Sequence, residues 1–85
     1  MPGYKILIRE PAEERLRKYD REIQKRFAAK IRKLTDNPDT HGKPLRGALH
    51  GFWELYFERS SRIIYSIDFQ NRVVVIEAIK HKDEF

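Results

Sequence analysis

Three consecutive segments in the last third of the chain each carry the pattern of a β-strand. Apolar and polar side chains alternate in residues 53–57 and 62–69, and residues 73–79 form a nearly continuous β-branched run. The breaks at Ser60-Ser61 and Gln70-Asn71 are short enough for hairpins. This spacing predicts an antiparallel meander, and a chain of 85 residues has room for only one core around it.

The first half of the chain predicts one strand and two amphipathic helices. Residues 4–9 alternate as a strand does, and Pro11 suits the first turn of a helix because the N–H it lacks would be unpaired there. Apolar residues at helical spacing then form two stripes on either side of Asp20: Ala12, Leu16 and Tyr19, then Ile23, Phe27, Ile31 and Leu34. Residues 36–38, Asp-Asn-Pro, end the second helix, and residues 37–51 read as a long loop.

The order strand, helix, helix, strand, strand, strand predicts a two-layer α+β domain over residues 1–85. We expect an antiparallel four-stranded sheet with the helical hairpin on one face. The side chains expected between the layers are Leu16, Ile23, Phe27, Ile31, Leu34, Trp53, Leu55, Phe57, Ile63, Tyr65, Ile67 and Phe69. Alternation sends another set to the opposite face: Glu54, Tyr56, Glu58, Arg62, Ile64 and Ser66. That polar and partly aromatic face can take a ligand.

The amino-acid composition limits the kinds of site and partner that the protein can have. Cysteine is absent and the three histidines are far apart in sequence, so we expect no disulfide, no metal site and no cofactor. No run approaches the roughly 18 to 20 apolar residues of a membrane span, and the start lacks a signal peptide, which predicts a cytoplasmic protein without a membrane partner. Lys and Arg number 18 against 13 Asp and Glu, which favours a polyanionic partner or, equally, solvated helix surfaces.

Several short motifs, in this order and spacing, resemble the RelE/ParE superfamily of toxins from type II toxin–antitoxin pairs. They are Asn37-Pro38, Lys43-Pro44-Leu45-Arg46-Gly47, Gly51-Phe52-Trp53, Arg62-Ile63-Ile64-Tyr65 and Ile79-Lys80-His81-Lys82-Asp83. The stretch from residue 45 to 65 is most similar to the RelE and YoeB branches, which are mRNA interferases. The resemblance implies a translation inhibitor that cleaves messenger RNA on the ribosome and is neutralised by a cognate antitoxin.

In those branches the resemblance implies a metal-independent endoribonuclease, in which the ribose 2′-hydroxyl attacks the adjacent phosphate. The resemblance implies Arg62 and Lys82 as catalytic residues and Arg46 as a phosphate contact. Side-chain chemistry adds His81 and Glu54 as catalytic candidates, and Lys43, Tyr56 and Phe85 as candidate RNA or phosphate contacts. Arg62 would hold the phosphate, and Lys82 would oppose charge on the leaving oxygen. His81 or Glu54 would handle the proton. We expect Arg46, Arg62, His81 and Lys82 to converge on the open face.

Two departures from the family pattern keep other functions open. RelE carries lysines on its second strand where this chain has Glu54, Tyr56 and Glu58, and Lys43 replaces a glutamate of YoeB. Glu54 and Arg62 could therefore form a cross-strand ion pair on a face without catalysis. The alternatives are a ParE-like inhibitor of DNA gyrase, or a protein that binds an antitoxin with the toxin fold but has lost nuclease activity.

Overall fold

The computed structural model describes residues 3–58 and 60–84, residue 84 by its backbone alone. Its helices are α1 (Glu10–Arg17), α2 (Arg21–Arg32) and α3 (Pro38–His41). Its strands are β1 (Lys5–Ile8), β2 (Lys43–Pro44), β3 (Trp53–Phe57), β4 (Ser61–Asp68) and β5 (Val73–His81). Three 3₁₀ turns cover Lys33–Thr35, Gly47–Leu49 and Lys82–Glu84. In the described part of the chain, no helix is long and apolar enough to cross a membrane.

The strands form one sheet in the order β1-β5-β4-β3-β2. The predicted meander of β3, β4 and β5 is confirmed, since both pairings are antiparallel. The prediction of four antiparallel strands is wrong in two respects: β1 pairs with β5 in parallel, and β2 adds a fifth strand beside β3. Alternation identifies a strand but not its partner, and a strand of two residues is too short to show alternation.

The helical hairpin forms where the two apolar stripes predict it. Pro11 lies in the first turn of α1, and Asp20 caps α2 by accepting a hydrogen bond from the backbone N–H of Ile23 at 2.9 Å. The α-helix ends at Arg32, before the predicted stop, because the chain tightens into a 3₁₀ turn that buries Leu34. The expected loop over residues 37–51 holds α3, β2 and a second 3₁₀ turn.

One apolar cluster fills the space between the helices and the sheet. Its buried members are Ala12, Phe27, Leu34, Leu55, Phe57, Ile63, Tyr65, Val74, Ile76 and Ile79. The other predicted core residues except Phe69 are partly buried against it: Leu16, Ile23, Ile31, Trp53 and Ile67. Phe69 is 56% exposed because β4 ends at Asp68, so its prediction as a core residue is wrong.

Candidate functional site

The sheet face opposite the helices, here called the open face, carries the predicted functional residues in two rows. Strand register sets Tyr56, Arg62 and Lys80 side by side on β3, β4 and β5. The neighbouring row runs from Lys43 on β2 through Glu54 and Ile64 to Ala78. Side chains directly opposite one another in a ladder share a face of the sheet. The open face therefore gathers an arginine, two lysines, a carboxylate and a phenol.

Arg62 contacts a side chain in each of the two rows. Its Nε atom lies 2.8 Å from Oε1 of Glu54, an ion pair rather than an aligned hydrogen bond. Its guanidinium carbon lies 4.7 Å from the centre of the Tyr56 ring, and Nη2 donates a long hydrogen bond of 3.5 Å to the Tyr56 hydroxyl. The guanidinium is thus oriented from two sides by side chains on the neighbouring strand.

Electrostatics fixes the charge state of Arg62. The hydrogen bond with Tyr56, and after it the negative charge of Glu54, raise the pKa of Arg62 above its ordinary value, although partial desolvation opposes them. Because an arginine is already protonated at neutral pH, this residue acts as a fixed cation and hydrogen-bond donor. It can bind or stabilise a phosphate, but it cannot serve as a proton donor.

The open face also contains a buried apolar residue, Ile64, and a β-bulge at Glu77. Ile64 is only 6% exposed although it lies outside the core cluster. The register shifts between Ile64 and Tyr65, where Glu77 is the additional residue of β5. Its carboxylate contacts Nε of Arg9 at 2.8 Å and accepts a hydrogen bond from Ser66 at 2.9 Å. This bulge reverses which residues of β5 face outward.

The register does not bring all the predicted residues together. Ser61 lies opposite both His81 and the core residue Phe57, so His81 lies on the helix side of the sheet, on the other face from Arg62. The backbone N–H of Asp83 donates to Nδ1 of His81 at 3.2 Å. The sequence missed Lys80, since the β-branched run of β5 has no alternation from which to assign a face.

Arg46 and Lys82 leave the sheet at opposite ends. Arg46 lies just after β2, which pairs with the start of β3. Lys82 lies just after His81, which is in the same row as Phe57 at the end of β3. The two positions are separated by the length of β3, roughly 13 Å of strand. The expected convergence of Arg46, Arg62, His81 and Lys82 is therefore wrong for this register. Phe85 lies outside the described residues.

The predicted placement of Glu58 on the open face is also wrong. Glu58 follows β3 with a positive φ of 56°, which ends the alternation, and its carboxylate pairs with Nη1 of Arg26 on α2 at 3.0 Å. Within the described part of the chain, no three His, Asp or Glu side chains are grouped so that they could hold a metal ion. The site is thus an arrangement of cations, one paired carboxylate and one aromatic ring.

Comparison with known proteins shows which proteins the chain as a whole resembles. A protein of Escherichia coli named as a RelE-like toxin is 27% identical over 81 residues, covering 94% of this chain and 84% of that protein. A protein of Methanocaldococcus jannaschii named as toxin RelE4 is 29% identical over 70 residues, covering 82% of this chain and 73% of that protein. The RelBE2 toxin–antitoxin complex of Mycobacterium tuberculosis has a chain that superimposes with a TM-score of 0.77 at 29% identity, covering 95% of this chain and 93% of that chain.

The fold and these relatives define a RelE-like toxin of the RelE/ParE superfamily, as the sequence motifs predict. Residues 14–84 match the family described as phage derived protein Gp49-like (DUF891). The chain belongs to that family.

Proposed function

We propose that this protein is the toxin of a type II toxin–antitoxin pair and acts in the cytoplasm as a ribosome-dependent mRNA endonuclease. The observation that carries the proposal is the oriented Arg62 guanidinium on the open face, with Lys80 beside it and Tyr56 beneath it. A fixed guanidinium suits the equatorial oxygens of a phosphorane, and a phenol ring beside it suits a nucleobase. Its membership among RelE-like toxins supports the same activity.

The reaction assigned to the open face is an internal transesterification. The 2′-oxygen bonds to the adjacent phosphorus, the bond from phosphorus to the 5′-oxygen breaks, and the products are a 2′,3′-cyclic phosphate and a 5′-hydroxyl. Glu54 takes the proton of the 2′-hydroxyl, and Arg62 stabilises charge on the phosphorane. Of the residues that the structure describes in the row of Arg62, Lys80 is the second cation. We assign to it the role of opposing charge on the leaving 5′-oxygen, which the resemblance gave to Lys82, and that oxygen takes its proton from water.

Substitution of Arg62 tests the proposal. After induction in growing cells, primer extension on total RNA should show cuts within coding regions for the wild type. Arg62→Ala should lower the cleavage rate by roughly 10² to 10³, by analogy with the loss of one donor to a developing oxyanion. Arg17→Ala is the matched control, because Arg17 is also paired with a glutamate but lies exposed on α1. A folded Arg62→Ala variant that cuts RNA and arrests growth like the wild type would contradict the mechanism.

A second candidate, inhibition of DNA gyrase by binding, is favoured by the Glu54 ion pair. That carboxylate offsets the charge of Arg62, which reduces the attraction of the open face for RNA. Arrested cells containing trapped DNA breaks and intact messenger RNA would select this function. Absence of growth arrest, with antitoxin binding preserved, would indicate a toxin fold that has lost its activity.

The proposed partner is a cognate antitoxin with an acidic binding segment. Residues 21–35, which form α2 and the turn after it, carry six Lys or Arg side chains and one Glu. An acidic segment would be steered to this surface and would lose affinity as salt screens the charges. The solved relative from Mycobacterium tuberculosis is itself a toxin–antitoxin complex, which supports such a partner. An affinity for the antitoxin that is independent of salt would argue against recognition by charge.

A further inference from the structure

A pocket of about 210 Å³ lies beside the open face, at the edge of β3 that β2 leaves uncovered. The short strand β2 pairs only with Trp53 and Glu54, so within the described residues β3 has no strand partner on this side beyond Glu54. The residues lining the pocket come from α2, α3, β2 and β3: Lys30, His41, Gly42, Lys43, Glu54, Leu55 and Tyr56. None of the residues contributed by α2 and α3 is among those that the sequence motifs indicated.

An ion pair connects α2, which forms one side of the pocket, to the end of β3. Nη1 of Arg26 contacts Oε1 of Glu58, just after β3, at 3.0 Å. Lys30 follows Arg26 by four residues and therefore lies one turn further along the same side of the helix. Lys30 lines the pocket and is half-buried there.

The wall formed by α3 and β2 is tied to the centre of the sheet. The Tyr65 hydroxyl, which is buried, donates a hydrogen bond to the Pro38 carbonyl at 2.8 Å. A side chain at Gly42 would collide with that hydroxyl and would lie 2.6 Å from the Glu54 carbonyl oxygen. This close approach fixes the position of residues 41–43, so His41 and Lys43 are held in place at the rim.

The pocket carries an excess of positive charge. It is lined by two lysines and a histidine, and Glu54 is its one acidic side chain among the described residues. That carboxylate already pairs with Arg62 at 2.8 Å, outside the pocket lining. The lysine charges are therefore available to an anion, and a volume of 210 Å³ takes a phosphate group with part of its sugar but is small for a whole drug-sized ligand.

We infer that this pocket is a phosphate subsite for single-stranded RNA, in which Lys30, His41 and Lys43 hold a backbone phosphate next to the one held by Arg62. Tyr56 favours RNA over an acidic peptide as the ligand. Its ring lines the pocket and the residue is 56% exposed, so a nucleobase can stack on it. An aromatic surface between two cationic sites is the arrangement that binds alternating bases and phosphates. The inference rests on the proposed RNA binding, but not on cleavage.

NMR spectroscopy tests the subsite. The isotope-labelled full chain is titrated with a 2′-O-methyl RNA tetramer, which cannot undergo transesterification, and its chemical shifts are recorded. For the wild type we expect shifts at the amides of Gly42 and His41 together with Tyr56. Lys30→Ala and Lys43→Ala should each weaken binding about two- to fivefold. Each should also reduce the slope of log affinity against log salt by about 0.7, the value for one phosphate contact on a single strand.

Lys18→Ala is the matched control, because Lys18 is an exposed lysine at the end of α1 and its substitution removes the same charge. Equal affinities and salt slopes for all three variants would overturn the subsite. So would a hexaglutamate peptide that shifts Gly42 and His41 where the RNA does not. If the wild type binds RNA at this pocket without cleaving messenger RNA in cells, the nuclease proposal fails and the subsite stands. If the RNA shifts no resonance, the subsite fails, and the nuclease proposal is decided separately by primer extension in cells.

Discussion

The hydroxyl of Tyr65 and the carbonyl oxygen of Pro38 are joined by a hydrogen bond of 2.8 Å that spans 27 positions of the chain. Tyr65 is fully buried in the middle of β4, and Pro38 begins α3. The bond therefore anchors the connection between the helices and the meander to the centre of the sheet. Because this connection carries His41 and Lys43, a core residue determines the position of two basic groups at the surface.

The first prediction concerns the pH dependence of stability at Tyr65. Burial, and after it the charge of Asp39, raise the pKa of Tyr65 to about 12 from 10.0. The folded protein therefore keeps a proton that the unfolded chain releases, so the free energy of unfolding must fall between pH 10 and 12. A shift of about two pH units corresponds to roughly 2 to 3 kcal/mol. Below pH 10 this contribution is fully present.

Tyr65→Phe isolates the effect. At neutral pH the variant should be less stable by about 1 kcal/mol, because the Pro38 carbonyl loses its hydrogen bond. Since the variant has no hydroxyl to ionise, it should overtake the wild type near pH 11, by roughly the same arithmetic. Urea denaturation of both proteins from pH 8 to 12 measures the difference. A difference that stays constant over that range would show that ionisation of Tyr65 is not coupled to folding.

The second prediction concerns the close approach at Gly42. Its φ of −118° is accessible to alanine, so the obstacle is steric: a Cβ would meet the Tyr65 hydroxyl and the Glu54 carbonyl oxygen. Gly42→Ala should cost about 2 to 3 kcal/mol, as overpacking of a tight site does. Gly47→Ala is the control, since that Cβ meets nothing within 4 Å but requires a φ of 67°, a cost of about 1 kcal/mol.

The double variant Gly42→Ala with Tyr65→Phe identifies the colliding atom. Removing the hydroxyl should restore part of the lost stability, while the contact with the backbone oxygen of Glu54 keeps the rescue incomplete. Thermal denaturation of the single and double variants gives the coupling energy. Strict additivity of the two substitutions would mean that Gly42 is required for a reason other than the Tyr65 hydroxyl.

The third prediction compares two phenylalanines that the sequence pattern assigns alike. Phe57 is 1% exposed and its ring lies 5.7 Å from Phe27 in an edge-to-face contact, whereas Phe69 is 56% exposed. Phe57→Ala should therefore cost about 3 to 5 kcal/mol. Phe69→Ala should change stability by about 0.5 kcal/mol or less. The midpoints of chemical denaturation test this, and similar losses for both would contradict the observed end of β4.

These two phenylalanines show what the alternation of apolar and polar residues can predict and where it fails. Alternation correctly predicted that Phe57 is buried and that Tyr56 and Arg62 are on the open face, because a strand with one buried face has period two. It failed at Phe69, where β4 had already ended, and at Glu58, where a positive φ turns the chain. Both failures lie at strand ends, where the conformation of one residue decides the direction of the next side chain.

The candidate site was harder to predict than the fold, for a related reason. His81 and Lys80 follow a run of β-branched residues with no alternation, and the bulge at Glu77 changes which of them faces outward. Lys30 is distant in sequence from every strand and reaches the pocket only because α2 packs along β3. A pattern read along the chain cannot show such contacts, since they depend on how separate elements pack.

The last prediction separates a catalytic Glu54 from a merely structural one. If Glu54 accepts the proton of the 2′-hydroxyl, Glu54→Gln should lower the cleavage rate by roughly 10² to 10⁴, the usual contribution of a general base. The same substitution frees the charge of Arg62 from its ion pair, so the affinity for the uncleavable RNA tetramer should rise. Opposite changes in rate and affinity are the expected result, because they show that the lost rate is not lost RNA binding. Glu13→Gln, which breaks the exposed pair with Arg17 on α1, is the matched control and should change neither quantity. Both are measured with purified protein and programmed ribosomes, and an unchanged cleavage rate in Glu54→Gln would remove Glu54 from the proposed mechanism.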